Sequence, residues 1–220
     1  MAYSRLQPSP RYRDLNAQYR RMHTASEPFQ GIDPKITFLG LSLLRHAARI
    51  RALLRATQCE SVLDYGCGKG RQYELRNVDL GPDGCCESIA DYWDAFVHCY
   101  DPAFPPFSTL PAGTFNAVIS TDVLEHCPEE DVPWILDEMF GYADRLVFAN
   151  VACYPAKQHL PSGENAHTTV RPGEWWLAAM EQAAARHPAL VWELSISELV
   201  QTADGPRSRA RCVGTTGVPE

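Results

Sequence analysis

Four groups of residues have the types and spacing to do chemistry. In "SVLDYGCGKG", residues 61–70, Asp64 is followed by three glycines in five positions, Gly66, Gly68 and Gly70. Glycines at that density let a ligand or another segment lie directly on the backbone. The spacing is not GxGxxG. It is not the phosphate loop GxxxxGK[ST] either, because Lys69 is followed by Gly70 and Arg71. An acid directly before the loop has the wrong sign for phosphate and suits a cationic or zwitterionic ligand. Asp101 forms the second group. It ends the apolar run "VHCY" and precedes Pro102, so it reads either as a ligand-binding acid at a strand end or as the start of an Asx turn.

Asp122 and His126, four apart in "TDVLEHCPEED", form the third group. The fourth is "YPAKQHLPSGENAHTTVRPGEWW", residues 154–176, where Lys157, His159, Glu164, Asn165, His167 and Arg171 crowd a long loop. Long loops of that kind inside compact domains are often functional. His167 is the first candidate general base, with Glu164 as its orienting partner, and His126 is the second. Lys157 and Arg171 suit an anionic group, and His159 and Asn165 a polar one. Of Trp175 and Trp176, one ring belongs to the core and the other, Trp175, can floor a pocket for a sugar or an aromatic ring. Asp122, Glu125 and His126 are of metal-ligand type, but their spacing is not diagnostic and no metal is expected.

These residues need strands to hold them. Ser61–Asp64, "VHCY", "FNAVIST" and "RLVFANVA" are short apolar runs of strand character, and "LVWELSI" and "RARCVGT" follow near the end. Helical spacing runs over residues 36–57, over "PEEDVPWILDEMFGYA" with acids in its first turn, and over "PGEWWLAAMEQAAARH" with Pro at its start. After the glycines, Gly81-Pro82 and Asp83-Gly84 break any helix. Strands alternating with helices predict an α/β fold: a Rossmann-like, doubly wound, mostly parallel sheet with helices on both faces, in a single domain. Residues 1–35 read as an N-terminal arm or cap and 36–202 as the main domain, with a last strand and flexible tail over 203–220. In such sheets ligands sit at the C-terminal strand ends, where all four groups fall.

Composition sets outer limits. The chain has 220 residues, enough for one sizeable core, and ordinary globular proportions. A net charge of −7 argues against nucleic acid as the main partner. No run of about eighteen apolar residues exists, and the N-terminus lacks the apolar centre of a signal peptide, so the expectation is a cytoplasmic protein without a membrane partner. Eight cysteines, without a CxxC pair, fit reduced and mostly buried thiols.

On these motifs the chain resembles the class I S-adenosylmethionine-dependent methyltransferases. "VLDYGCGKG" is similar to their first motif, in which a strand, an acid and three glycines floor the cofactor site. "VHCY" ending in Asp101, "LPAGTFNAV" and "TDVLEHCPEED" follow in the family's order, over residues 59–151. The resemblance implies S-adenosylmethionine as cofactor, held by Asp64, Tyr65, Gly66, Gly68, Asp101, Pro102, Thr121 and Asp122, with Asp101 on the ribose diol. Phe104, Leu110 and Pro111 would pack the adenine. It implies methyl transfer, read here as O-methylation of a small polar molecule or glycan, with residues 152–176 as the substrate segment. A protein or tRNA acceptor, and a non-catalytic cofactor-binding subunit, stay open, as does the oligomeric state. Residues 101–115 are too few for the family's usual helix and strand, so a shortened middle is expected.

Overall fold

The computed structural model describes residues 3–25 and 37–218. The turn-rich stretch expected over 24–34, and the expected helix start at Ile36, lie largely outside the described residues. Eight strands and five helices are present among the rest: α1 (Pro10–Thr24), α2 (Ala47–Ala56), β1 (Ser61–Tyr65), β2 (Val78–Asp79), β3 (Cys85–Cys86), α3 (Ile89–Trp93), β4 (Phe96–Tyr100), β5 (Phe115–Thr121), α4 (Val132–Tyr142), β6 (Ala143–Ala152), α5 (Gly173–Ala184), β7 (Val191–Thr202) and β8 (Gly205–Gly214). Six strands form one sheet in the order β4-β1-β5-β6-β7-β8. The first five are parallel, and β8 returns antiparallel along β7. This is the expected mostly parallel α/β sheet.

Alternation along the strands sends side chains into two cores. Val62, Ala117, Ile119, Leu146 and Phe148 pack beneath α2 and α3 with Leu43, Ile50, Leu53, Leu54 and Trp93. Leu63, Tyr65, Val118, Val147 and Ala149 face the other way, onto Ile135, Leu136, Met139 and Phe140 of α4 and Trp176 and Met180 of α5. Helices on both faces follow from those two apolar sides. From β1 the chain goes to β4 on one side, then returns through residues 101–114 to β5 on the other. The strand order therefore reverses beside β1, which places a ligand crevice at the C-terminal ends of β1 and β5.

Several elements differ from their expected form. The helix predicted over 36–57 is a 3-10 turn at Leu41–His46 followed by α2. A tighter first turn is a common way for an α-helix to begin. The acids expected inside the first turn of α4 precede it; Asp131 sits at the cap position and is fully buried. Its carboxylate takes the amide of Ser9 (3.0 Å), the Ser9 hydroxyl and the Trp134 indole N–H (2.7 Å). Ser9 in turn caps α1, accepting from the Tyr12 amide (2.9 Å). One buried acid thus ties the N-terminal arm to α4. Residues 215–218 are also tied down: Thr215 N–H donates to the Trp192 carbonyl (2.9 Å), and Arg49 reaches the Val218 carbonyl (2.8 Å). Between β4 and β5 there is only a 3-10 turn, Pro105–Phe107, as the shortened middle required.

Candidate functional site

The glycine loop follows β1, and its neighbours are now visible. A Cβ at Gly66 would lie 2.5 Å from Val123 Cγ2, and one at Gly68 2.4 Å from the Phe38 carbonyl oxygen. Both residues also have positive φ, +92° and +61°. Glycine is therefore required here by the chain's own packing as well as by conformation. Every amide from Gly66 to Gly70 has a partner: Gly66 and Cys67 donate to the Tyr100 carbonyl, Gly68 to Asp101 Oδ2 (3.0 Å), Lys69 to the Phe38 carbonyl (2.8 Å) and Gly70 to the Cys67 carbonyl.

The two acids flanking the loop organise it. Asp64 is buried, and its Oδ2 accepts Gln72 Nε2 (3.0 Å) and the Tyr73 hydroxyl (2.8 Å). It orders the loop through these side chains rather than through the loop amides. Burial pushes its carboxyl up to about 7, against the pull of those two donors. Asp101 Oδ1 accepts the amides of Ala103 (2.8 Å) and Phe104 (3.0 Å), while Oδ2 takes Gly68. The Asx-turn reading of Asp101 is thus realised, with one carboxylate bridging β1 and β4. Burial raises it to about 6, opposed by the three amides. Tyr65 points to the α4 face, donating to Glu138 (2.7 Å) and accepting from Arg5 (2.6 Å). Pro102 is half-buried beside Asp101.

Around the loop the aromatic rings of His23, Phe38, Phe104 and Phe107 form a continuous cluster, with centroids 4.8, 5.2 and 5.5 Å apart along the series Phe38–His23–Phe104–Phe107. Phe104 is therefore near the loop, as expected. One of the four, His23, comes from the N-terminal arm and Phe38 follows just inside the main domain; sequence reasoning connected neither to the site. Leu110 and Pro111 lie toward the surface.

The second half of the site is built at the end of β5. Thr121 is buried in register with Asn150 of β6, and Asp122, exposed, turns the chain with φ +62°. The 3-10 turn Leu124–His126 then drives Glu125 into the interior, wholly buried. Glu125 Oε1 accepts the Ala152 amide (2.8 Å), and Oε2 has no hydrogen-bond partner. Burial, then the charge of Asp122, pushes its carboxyl well up. His126 Nδ1 lies 2.8 Å from the Ala166 carbonyl and 2.9 Å from the Tyr19 hydroxyl of α1. Burial first, then His167, lowers it to about 4, which leaves it neutral and weakly basic at neutral pH.

His167 packs edge-on against His126, with centroids 4.8 Å apart, and its Nδ1 donates to the Tyr154 carbonyl (2.5 Å). The carbonyl, not Glu164, orients this ring; Glu164 instead pairs with Arg11 of α1 (3.1 Å) and accepts from Ser162. One oxygen of Asp122, one of Glu125 and one nitrogen of His167 lie within 4.8 Å of one another. The sequence pointed to His126 as the histidine of such a group, and the loop brings His167 there.

The remaining substrate candidates are scattered. Lys157 and His159 are on the exposed outer side of the loop. Asn165 is a brace within it, bonded to both backbone groups of Ala156 and to the His167 amide. Arg171 forms a two-pronged ion pair with Glu129 (2.7 and 2.9 Å). Trp175 packs half-buried against Trp176. Beside Asp122, by contrast, is a cavity of about 480 Å³ whose lining includes His46, Arg49, Asn150, Tyr154, Ser195 and Ser197. The alternating polar residues of "WELSISE" were the one sequence sign of it: Trp192, Leu194 and Ile196 join the α4/α5 core, and Ser195 and Ser197 take the opposite side.

No protein-family model and no curated protein matches the chain. Among solved structures, the chain is similar to magnesium protoporphyrin IX methyltransferase from Synechocystis PCC 6803 with bound SAH, at 15% identity and a TM-score of 0.42, over 90% of this chain and 91% of that one. Among the described residues no helix is long and apolar enough to cross a membrane.

Proposed function

We propose that this chain is an S-adenosylmethionine-dependent methyltransferase that O-methylates a small polar molecule or a sugar. One observation carries the reading: at the point where strand order reverses, the glycine loop after β1 and the acid ending β4 meet, with Gly68 N–H on Asp101 Oδ2 at 3.0 Å. That is where a doubly wound sheet takes its ligand, and the motif order of residues 59–151 supports a sulfonium cofactor there.

Methyl transfer from sulfonium is an in-line displacement, so the acceptor must be held against the cofactor and water kept out. Asp122 stands between the two halves: it ends β5 next to Val123, which touches the glycine loop, and it lines the cavity. The acceptor belongs in that cavity, where Asn150, Ser195 and Ser197 offer neutral hydrogen-bonding groups suited to hydroxyls. His167, whose Nδ1 proton is committed to Tyr154, keeps Nε2 as a lone pair to take the acceptor's proton. Phe38, whose carbonyl takes the Lys69 amide, and His23, packed on its ring, lie next to the loop, where a bound cofactor would meet them.

Calorimetric titration with S-adenosylhomocysteine tests this. Binding in the micromolar range, weakened by an Asp101→Asn change, supports the reading; no heat of binding at millimolar ligand rejects it. A non-catalytic cofactor-binding module is the second reading. Binding without turnover on sugars or small alcohols would select it.

A further inference from the structure

We propose that Asp122, Glu125 and His167 form a binding site for one divalent transition-metal ion. Three observations converge on it. The ligand-type atoms of the three residues lie within 4.8 Å of one another, although they come from the end of β5 and from the loop after β6. Glu125 is wholly buried, and its Oε2 has no hydrogen-bond partner, while Oε1 is used by the Ala152 amide. A buried carboxyl oxygen left without a hydrogen-bond partner is costly unless something binds it. His167 suits a metal ligand: a hydrogen bond from Nδ1–H to a carbonyl, here that of Tyr154 at 2.5 Å, fixes the tautomer and leaves Nε2 with its lone pair.

The three atoms stand wider than a bound set. Two ligand atoms at about 2.1 Å from one ion in tetrahedral geometry are about 3.4 Å apart. A pair at 4.8 Å therefore has to close by about 1.4 Å, and Asp122, exposed at the end of β5, has a side chain that can turn inward. Two carboxylate oxygens and one imidazole nitrogen suit Mn²⁺, Fe²⁺, Co²⁺ or Zn²⁺ better than Ca²⁺. Three protein ligands leave positions open. Asp122 lines the cavity with Asn150, Ser195 and Ser197, so an open position is accessible to an oxygen donor held there.

The ion site stands independently of methyl transfer; only its link to an acceptor oxygen rests on that reading. Within that reading the ion would use the His167 nitrogen assigned above to proton removal, and the acceptor hydroxyl would be made acidic by direct coordination instead.

Mn²⁺ is the probe, because the chain carries eight free cysteines and Zn²⁺ would bind thiols as well. Electron paramagnetic resonance titration of the metal-stripped protein should show roughly one tightly bound Mn²⁺ per chain. Glu125→Gln, which keeps an acceptor for the Ala152 amide, and His167→Gln should each weaken binding about tenfold or more. Circular dichroism in chelator verifies that each variant is folded, and if one is not, the other decides. No saturable binding up to about 1 mM Mn²⁺, or binding unchanged in the folded variants, overturns the proposal. S-adenosylhomocysteine binding measured in chelator separates failure of this site from failure of the cofactor reading.

Discussion

Replacing Gly66 by alanine should destabilise the fold through a clash with one identified partner, and removing that partner should restore part of the loss. The new Cβ would lie 2.5 and 2.6 Å from the two methyls of Val123, so the valine has to yield by about 1 Å to reach ordinary contact. Forced overpacking of that kind costs about 1–3 kcal/mol. Holding an alanine at φ +92° adds about 1–2 kcal/mol. Together these give about 2–5 kcal/mol, which for a chain of this size lowers the melting midpoint by about 4–20 °C. Val123→Ala on its own should cost about 1 kcal/mol, since the residue is only half-buried. In the double variant the overpacking share disappears and the conformational share remains, so the cycle should show a favourable coupling of about 1–3 kcal/mol. Urea unfolding of the four proteins measures it. Strict additivity would refute the claim that Val123 dictates glycine here. A stable Gly66→Ala variant that no longer binds S-adenosylhomocysteine would assign the glycine to the ligand alone.

Asp64 titrates near 7 when folded and near 3.8 otherwise, so between those values the folded chain holds the proton more firmly; this stabilisation, complete below about pH 4, is lost as pH rises through 7. Asp64→Asn keeps an acceptor for Gln72 and Tyr73 and should flatten that fall, judged by urea midpoints at about pH 5 and about pH 8; an unchanged slope would contradict it. His23 has the opposite sign: burial, then Lys69, lowers it from 6.5 to about 4, so its contribution is present above 6.5 and lost as pH falls through 4. His23→Phe retains a ring against Phe38 and Phe104 and should reduce acid sensitivity over that window, with an unaltered acid limb counting against the assignment. Arg5→Ala removes the half-buried contacts to Glu138 and Tyr65. Discounted for exposure, it should cost about 1–3 kcal/mol and speed tryptic cleavage within α1, and equal cleavage rates would show that the arm is held by its other contacts.

The sheet was legible because four of its strands are buried apolar runs bounded by breakers, and burial is what sequence patterning reports. What lay outside patterning is pairing without burial. Strands β2 and β3 have two residues each, too short for any period. Strand β7 continues past the apolar "LVWELSI" to Thr202, because its exposed end is held by backbone bonds to β8. At the site, motif order placed Asp64, Asp101 and Asp122 correctly at strand ends. Partners were less accessible. Glu164 is three residues from His167 and looked like its companion, yet an irregular loop has no fixed side-chain period, and Glu164 turns to Arg11 instead. The arm's role was invisible for a related reason: its contacts with His126 and the glycine loop join residues about 30–107 positions apart.

Those distant contacts bring α1 and the adjoining Phe38 between the two halves of the site. Phe38 accepts the Lys69 amide of the glycine loop, and Tyr19 of α1 holds His126 and the Ala166 carbonyl beside His167. Gln18 accepts the Ser162 amide, and Leu15 and Met22 pack on Leu160 and Ala166, so the loop after β6 rests on the same helix. The Tyr19 ring also lies 5.7 Å from Phe38, edge to face, which links the two sets of contacts directly. On the methyltransferase reading, a cofactor that displaced Phe38 would also disturb Tyr19, which packs edge to face on it, and with Tyr19 the seating of His126. A ligand bound first on the His167 side stiffens the loop that carries the arm. If the two halves are coupled through these contacts, linkage requires each to alter the other's affinity by the same factor, with the packing of Tyr19 and His23 on Phe38 as the place where α1 meets the glycine-loop side.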